Sequence, residues 1–200
     1  MSIEGFDTQL LLLINNGLAN SSLDTVMISL SDRGYLLFFP YLFYMLVRGW
    51  SAGADASLFK RAFLMVVISI CSFFMAYELA ELLKPVFGRI RPCQVVQGLR
   101  LMVRCPHSSS MPSGHALSSF AAATTLFYLP RYFVSVFARW YPLLLAAAVA
   151  FSRVYLGVHY PSDVIVSVAL GSMIALLFSL TYERLLPEQP RQSPHPDKHS

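Results

Sequence analysis

The chain has 200 residues, enough for one domain. Its residues are 56% hydrophobic and 13% charged, where a typical soluble domain carries about 25% charged residues. A soluble domain this small could not hide so much apolar surface, so lipid is the expected solvent. The net charge is +4, but no basic run or basic helix face accompanies it, and nucleic acid is not an expected partner.

Met1 to Asp7 carry Glu4 and Asp7 and lack a basic stretch, so no removable signal peptide is expected. Phe6 to Leu18 reads as a short interfacial helix that stops near Asn15, Asn16 and Gly17. Five runs then approach the length needed to cross a bilayer, about 20 residues each. The first spans Leu23 to Val47 and is interrupted by Asp32 and Arg33. The second runs from Lys60 to Leu83. The third, His115 to Leu129, is short and rich in Ala, Ser and Thr, which suits close helix packing. The fourth covers Trp140 to Leu156 and the fifth Ser162 to Tyr182. Between the second and third lies a polar loop from Pro85 to Pro112, long enough to expect a function for it. Residues 187–200 are rich in Pro, Gln, Ser and His and are expected to be a disordered tail. The predicted architecture is all-α: a single membrane-embedded domain over residues 1–186, with about five transmembrane helices and an N-terminal interfacial helix.

Five crossings put the two ends on opposite sides. One side carries Arg48, Lys60, Arg61, Arg131, Arg139, Arg184, Arg191 and Lys198. The other carries Lys84, Arg89, Arg91, Arg100, Arg104 and Arg153. Several of the second group have a chemical explanation, given next. Setting those aside leaves the excess on the first side, which is therefore placed in the cytoplasm, with the Pro85 to Pro112 loop facing outward.

Three clusters fall on the outward face. Lys84-Pro85-Val86-Phe87-Gly88-Arg89-Ile90-Arg91-Pro92 follows the second span. Pro112-Ser113-Gly114-His115 opens the third. Ser152-Arg153, then His159 and Asp163, join the fourth to the fifth. Charge beside apolar helices is costly, so convergence on one face points to a shared ligand. The chemistry fits a phosphoryl group. Arg91 and Arg153 can each grip two phosphate oxygens, and Lys84 adds a point charge. Ser113 and Gly114 stand at a helix start, where free N–H groups and the helix dipole favour an anion. Of His115 and His159, one can attack phosphorus and the other can protonate the leaving oxygen. Asp163, four residues after His159, can reach back to orient the imidazole if Pro161 opens a helix.

The pattern K-x6-R-P, P-S-G-H and S-R-x5-H-x3-D resembles the signature of the type 2 phosphatidic acid phosphatases, which share an active-site design with the vanadium haloperoxidases. The resemblance covers Lys84 to Asp163 and all three motifs in order. It implies His159 as the nucleophile that becomes a phosphohistidine, Asp163 as its orienting carboxylate and His115 as the general acid. It implies Lys84, Arg91, Ser113, Gly114 and Arg153 as the phosphate-binding set, with Ser152 positioning Arg153, and no metal or other cofactor.

Each residue also has a plainer reading. His159 and Asp163 could ligate a metal, but no third protein ligand is evident and the surrounding cations would repel a divalent ion. Arg89, outside the strict pattern, could equally be a snorkelling interfacial residue. Tyr155 and Tyr160 read as interfacial aromatics, Glu78 and Glu81 as packing or headgroup-contacting residues, and His107 as structural. Cys71 sits in an apolar run and is expected to pack there. Cys93 and Cys105 share the outward loop, form no CxxC pair that would suggest zinc, and are expected to form a disulfide in an oxidising compartment. Two other functions fit the same pocket: a vanadate-dependent haloperoxidase, opposed by the five spans, and a non-catalytic lipid-phosphate binder or transporter, opposed by the intact His115, His159 and Asp163. The expected substrate is a cell-envelope lipid of a bacterial inner membrane. Undecaprenyl diphosphate stands first, ahead of lipid A 1-phosphate, phosphatidylglycerophosphate and phosphatidic acid.

Overall fold

A computed structural model describes residues 3–51, 56–129 and 134–185. All regular structure among them is helical. The helices are α1 (Ile3–Gly17), α2 (Ser21–Arg33), α3 (Phe38–Ser51), α4 (Ala56–Phe87), the single turn α5 (Pro92–Val95), α6 (Gly114–Tyr128), α7 (Val136–Tyr155) and α8 (Pro161–Leu185). The expected tail over residues 187–200 lies outside the described residues.

The expected first span is not one helix. α2 starts cleanly because the Asn20 side chain accepts the N–H groups of Ser22 and Leu23, at 2.9 and 3.3 Å. It ends at Arg33, and a 3-10 turn over Gly34–Leu37 leads into α3. Gly34 is buried at this break, where a Cβ would lie 2.7 Å from Val149 Cγ2 of α7, so the chain bends where it crosses α7 most closely. α4 runs past the expected boundary and includes Lys84 and Pro85. A proline in the last turn removes a single intrahelical bond, and the helix carries on to Phe87. The loop that follows is therefore shorter than expected and contains α5.

α6 is the axis of the bundle and packs against α4, α7 and α8. Its small residues make this possible: Ala116, Ala121, Ala122, Ala123, Ser118 and Ser119 are all buried. At the crossing with α8, a Cβ on Gly171 would fall 2.3 Å from the Leu117 carbonyl oxygen, so only glycine fits. Polar side chains fasten the interior. Ser69 and Ser72 of α4 each donate to an α6 carbonyl at 3.3 Å, and Thr124 of α6 meets Ser172 of α8 at 3.3 Å. The outer faces carry the large apolar residues instead: Phe43, Phe63, Phe74, Phe137, Leu144 and Leu177 are exposed. Small and polar side chains along α6, with large apolar ones on the outer faces, are the arrangement lipid favours at helix contacts. Ser57–Phe87 and Pro161–Arg184 are long and apolar enough to cross a membrane. Cys71, expected to pack, is a free exposed thiol.

Candidate active site

The ends of α4, α6, α7 and α8, with the loop over residues 88–113, bring the three sequence clusters together. α7 closes on Gly157, whose φ of +73° would strain any side chain and where a Cβ would lie 2.7 Å from Leu99. This left-handed turn reverses the chain so that His159 points back at the helix ends. Pro161 is the first residue of α8, and Asp163 follows in its first turn, as the spacing suggested.

Asp163 has no exposed surface. Its Oδ2 accepts the Tyr160 N–H at 2.9 Å and the Ser110 hydroxyl, while Oδ1 accepts Arg89 Nη1 at 2.5 Å. His159 Nδ1 lies 3.6 Å from Oδ2, longer than a hydrogen bond, and has no other partner. On the far side of the ring, Arg91 Nη1 sits 3.0 Å from Nε2. A guanidinium can only donate, so Nε2 is the acceptor and the ring proton belongs on Nδ1, facing the carboxylate. The lone pair on Nε2 therefore points toward the arginine side of the pocket. Burial pushes the His159 pKa down to about 4, with Arg91 and Arg153 adding to the effect and Asp163 opposing it. The ring is neutral at physiological pH.

Arg91 does more than supply charge. Its Nε donates to the Ser108 carbonyl at 2.7 Å and its Nη1 to the Val158 carbonyl at 2.9 Å, so it ties the long loop to the His159 turn. The same loop is closed by the Cys93–Cys105 disulfide, with a Cα–Cα separation of 5.9 Å. Arg153 is buried and donates to the Ser31 hydroxyl, but its Nε has no partner. The Ser113 hydroxyl is also buried and unpartnered, and the Ser113 N–H is held by Ser167 Oγ at 2.8 Å. Lys84 is bound at 2.5 Å to Glu81, whose Oε1 lies 3.7 Å from the position of a Cβ on Gly114. The lysine therefore borders the α6 start through this carboxylate. Arg153, Lys84 and Arg91 all act electrostatically on His115. The pocket can hold a tetrahedral anion among cations, a buried hydroxyl and a helix N-terminus, beside an imidazole lone pair.

Two cavities meet at His115. One, of about 550 Å³, is an apolar groove lined by Leu30, Phe38, Phe39 and Leu42 on one wall and Ile70, Phe73 and Phe74 on the other. The second, of about 600 Å³, is lined by Asp32, Arg104 and Arg153 together with Ile28, Met102 and Val103. His115 lines both. Among the described residues, no three of His, Cys, Asp and Glu converge as a metal site would need.

Several of these residues were not expected from the sequence. Arg89 does not snorkel: it joins Asp163, Ser162 and Asp7. Tyr155 and Tyr160 are buried within the protein; the Tyr155 hydroxyl meets Asp24 Oδ1 at 2.5 Å, and Tyr160 lies under the Arg89 guanidinium. Glu81 contacts Lys84. Ser110 and Asp7 carried no local signal, because a lone serine and a lone aspartate gain meaning only from what the fold sets beside them.

Residues 58–186 match the PAP2 superfamily. The undecaprenyl-diphosphatase of Sulfolobus acidocaldarius is 33% identical over 86% of this chain and 77% of its own length. The crystal structure of Aquifex aeolicus LpxE superposes with a TM-score of 0.66 at 26% identity, covering 87% of this chain and 94% of that one. The first transmembrane PAP2 type phosphatidylglycerolphosphate phosphatase from Bacillus subtilis has a similar fold, with a TM-score of 0.70 at 21% identity over 94% of this chain and 89% of that one. The chain belongs to the PAP2 superfamily.

The burial of His159 has a direct spectroscopic consequence. In a pH titration followed by NMR of histidine-labelled protein, the His159 ring should protonate near pH 4. A midpoint near the ordinary imidazole value of about 6.5 would show that water reaches the ring freely.

Proposed function

We propose that this chain removes phosphate from a cell-envelope lipid by way of a phosphohistidine on His159. The enzyme class, a membrane lipid phosphatase, follows from the superfamily and its phosphatase relatives. The observation that carries the reading for this chain is the place of His115, which lines the apolar groove and lies within electrostatic reach of Arg153, His159, Lys84 and Arg91. A lipid phosphate has that same division: an apolar chain, a bridging oxygen and a charged phosphoryl group. With the chain in the groove, the bridging oxygen falls beside His115 and the phosphorus beside His159.

The roles then follow from the chemistry. His159 Nε2 attacks phosphorus, and the P–O bond to the lipid breaks. His115 gives its proton to the leaving oxygen. The phosphorylated ring is cationic, and Asp163 stabilises it across Nδ1–H, closing the 3.6 Å gap as the charge develops. His115, now neutral, takes a proton from water, which attacks the phosphohistidine and releases phosphate. Arg91, Arg153, Lys84, Ser113 and the α6 N-terminus beginning at Gly114 hold the phosphoryl oxygens. These cations supply the charge clamp that a metal would otherwise supply.

Undecaprenyl diphosphate remains the preferred substrate, supported by the name of the Sulfolobus relative, with lipid A 1-phosphate second. The domain covers residues 1–186. The two candidate spans, the exposed apolar residues of the other helices and the apolar rim support about five crossings with α1 at the interface. The cation distribution supports a bacterial inner membrane with the site on the periplasmic or outer side.

Two tests address this reading. Phosphate release should be measured in EDTA on a panel of the four candidate lipids. Activity should survive the chelator, and His159→Ala should abolish it while leaving the protein folded. His115→Ala should turn over every lipid slowly, because it loses the acid of the first step and the base of the second; only the first step should be spared with a diphosphate, whose leaving group needs a proton less. Full activity in His159→Ala would remove the nucleophile assignment. For orientation, Gln97→Cys in a background without native cysteines should react with an impermeant thiol reagent on whole cells. Labelling only after the membrane is opened would invert the topology.

A further inference from the structure

Asp7 lies in α1, well outside the residues 58–186 that match the superfamily. A carboxylate on a short N-terminal helix would ordinarily face water, yet Asp7 is only 4% exposed. Its Oδ2 accepts Arg89 Nη2 at 2.6 Å and the Ser162 hydroxyl at 2.5 Å. Its Oδ1 accepts the Ser162 backbone N–H at 3.0 Å. Ser162 is the second residue of α8, so Asp7 caps the start of α8 from a different helix. Asp163 is the next residue.

Arg89 completes the connection. One arm reaches Asp7; the other reaches Asp163 Oδ1 at 2.5 Å and Ser162 Oγ at 2.7 Å. The guanidinium also lies 4.1 Å over the Tyr160 ring. Burial alone would lower the Arg89 pKa, but the two carboxylates outweigh it and raise the pKa. Arg89 is thus one cation shared by two anions.

We propose that Asp7 is a positioning residue for the His159–Asp163 pair, acting through Arg89 and Ser162, so that the N-terminal helix forms part of the catalytic apparatus. Two effects combine. Asp7 fixes the first turn of α8, and with it the carboxylate that must meet His159 Nδ1. Asp7 also takes up part of the Arg89 charge. Without it, the guanidinium pairs with Asp163 alone, concentrates the carboxylate's charge on Oδ1 and leaves Oδ2 less able to engage the imidazole. The proposal rests on the phosphohistidine reading for its kinetic consequence, but the arrangement of the pair can be observed separately.

A role in merely anchoring α1 is separable, because α1 has other anchors. Leu11 is fully buried, and Asn15 donates to the carbonyls of Tyr155 and Arg100 at 2.7 and 3.0 Å. Asp7→Asn keeps the size and one acceptor oxygen, removes the charge, and puts an amide donor where the second oxygen accepts, so one of the contacts to Ser162 or Arg89 goes with it.

The test uses the full chain in detergent. In Asp7→Asn, kcat on the substrate the wild type turns over should fall on the order of ten- to a hundredfold, the scale of supporting bonds behind a reacting group. KM should stay at the wild-type value, and the thermal midpoint should fall by only about a few degrees, the scale of a lost cap bond. In an Arg89→Gln background, Asp7→Asn should cost less than it does in the wild type, because the cation that Asp7 offsets is gone and only the cap on Ser162 remains to be lost. Independently of turnover, the His159 Nδ1–H proton signal should move upfield in Asp7→Asn as the carboxylate, 3.6 Å away in this structure, is drawn further from the ring. Wild-type kcat with an unmoved proton signal would overturn the proposal. So would losses of kcat and thermal stability that are equal in the two backgrounds, since these mark an anchor only. If the wild type turned over none of the lipids, the phosphohistidine reading would fall, while the proton signal would still decide the role of Asp7.

Discussion

A charge with no exposed surface must be neutralised where it stands, and in this protein that charge is Asp163. An unpaired carboxylate buried at the head of an apolar helix would cost several kcal/mol. The donors that prevent this come from across the chain: Ser110 from the long loop, Arg89 from the segment after α4 and the Tyr160 N–H from the α8 turn. Satisfying one carboxylate thus draws the loop, α4 and α8 into a single arrangement. Arg89 in turn brings Asp7 and the N-terminal helix with it. The geometry around His159 depends on that prior requirement.

A second constraint is the surplus of positive charge. Arg91, Arg153 and Lys84 gather around His115 at one end of the bundle, and only part of their charge is matched by protein. Glu81 holds Lys84, and Arg91 is occupied by carbonyls and by His159. Arg153 keeps a buried N–H without a partner. An anion with several oxygens offsets this surplus better than any single side chain can. The adjoining apolar groove can receive the apolar chain of a lipid that carries such an anion. Substrate class in this account is set by a boundary between two environments, with His115 on the boundary.

Much of the site was legible in the sequence because its members are close in sequence within motifs. Lys84 and Arg91, Ser113 to His115, and Arg153 to Asp163 each occupy a short stretch whose spacing matches a helix end. The structure sets these three stretches side by side. Four of the five expected crossings correspond to single helices with ends shifted by a few residues. Two kinds of feature were out of reach. The first expected span breaks at Gly34 because α7 passes within contact distance there, and no local pattern encodes a crossing partner. Asp7, Ser110 and the buried Tyr155 take their meaning from partners 53 to 155 residues away. Arg89 was visible as a cation, but only the fold reveals that two carboxylates compete for it.

The central claim is that phosphorus passes through a covalent bond to His159, and a trapping measurement tests it most directly. In His115→Ala supplied with a lipid diphosphate, the first step has a good leaving group, whereas the second has lost the base that activates water. Rapid quenching in base, followed by peptide mass analysis, should show a phosphoryl group on the peptide containing His159, stable in base and lost in acid. A phosphoryl group on any other residue, or phosphate released by this variant with no trapped intermediate when the quench is faster than turnover, would contradict the account.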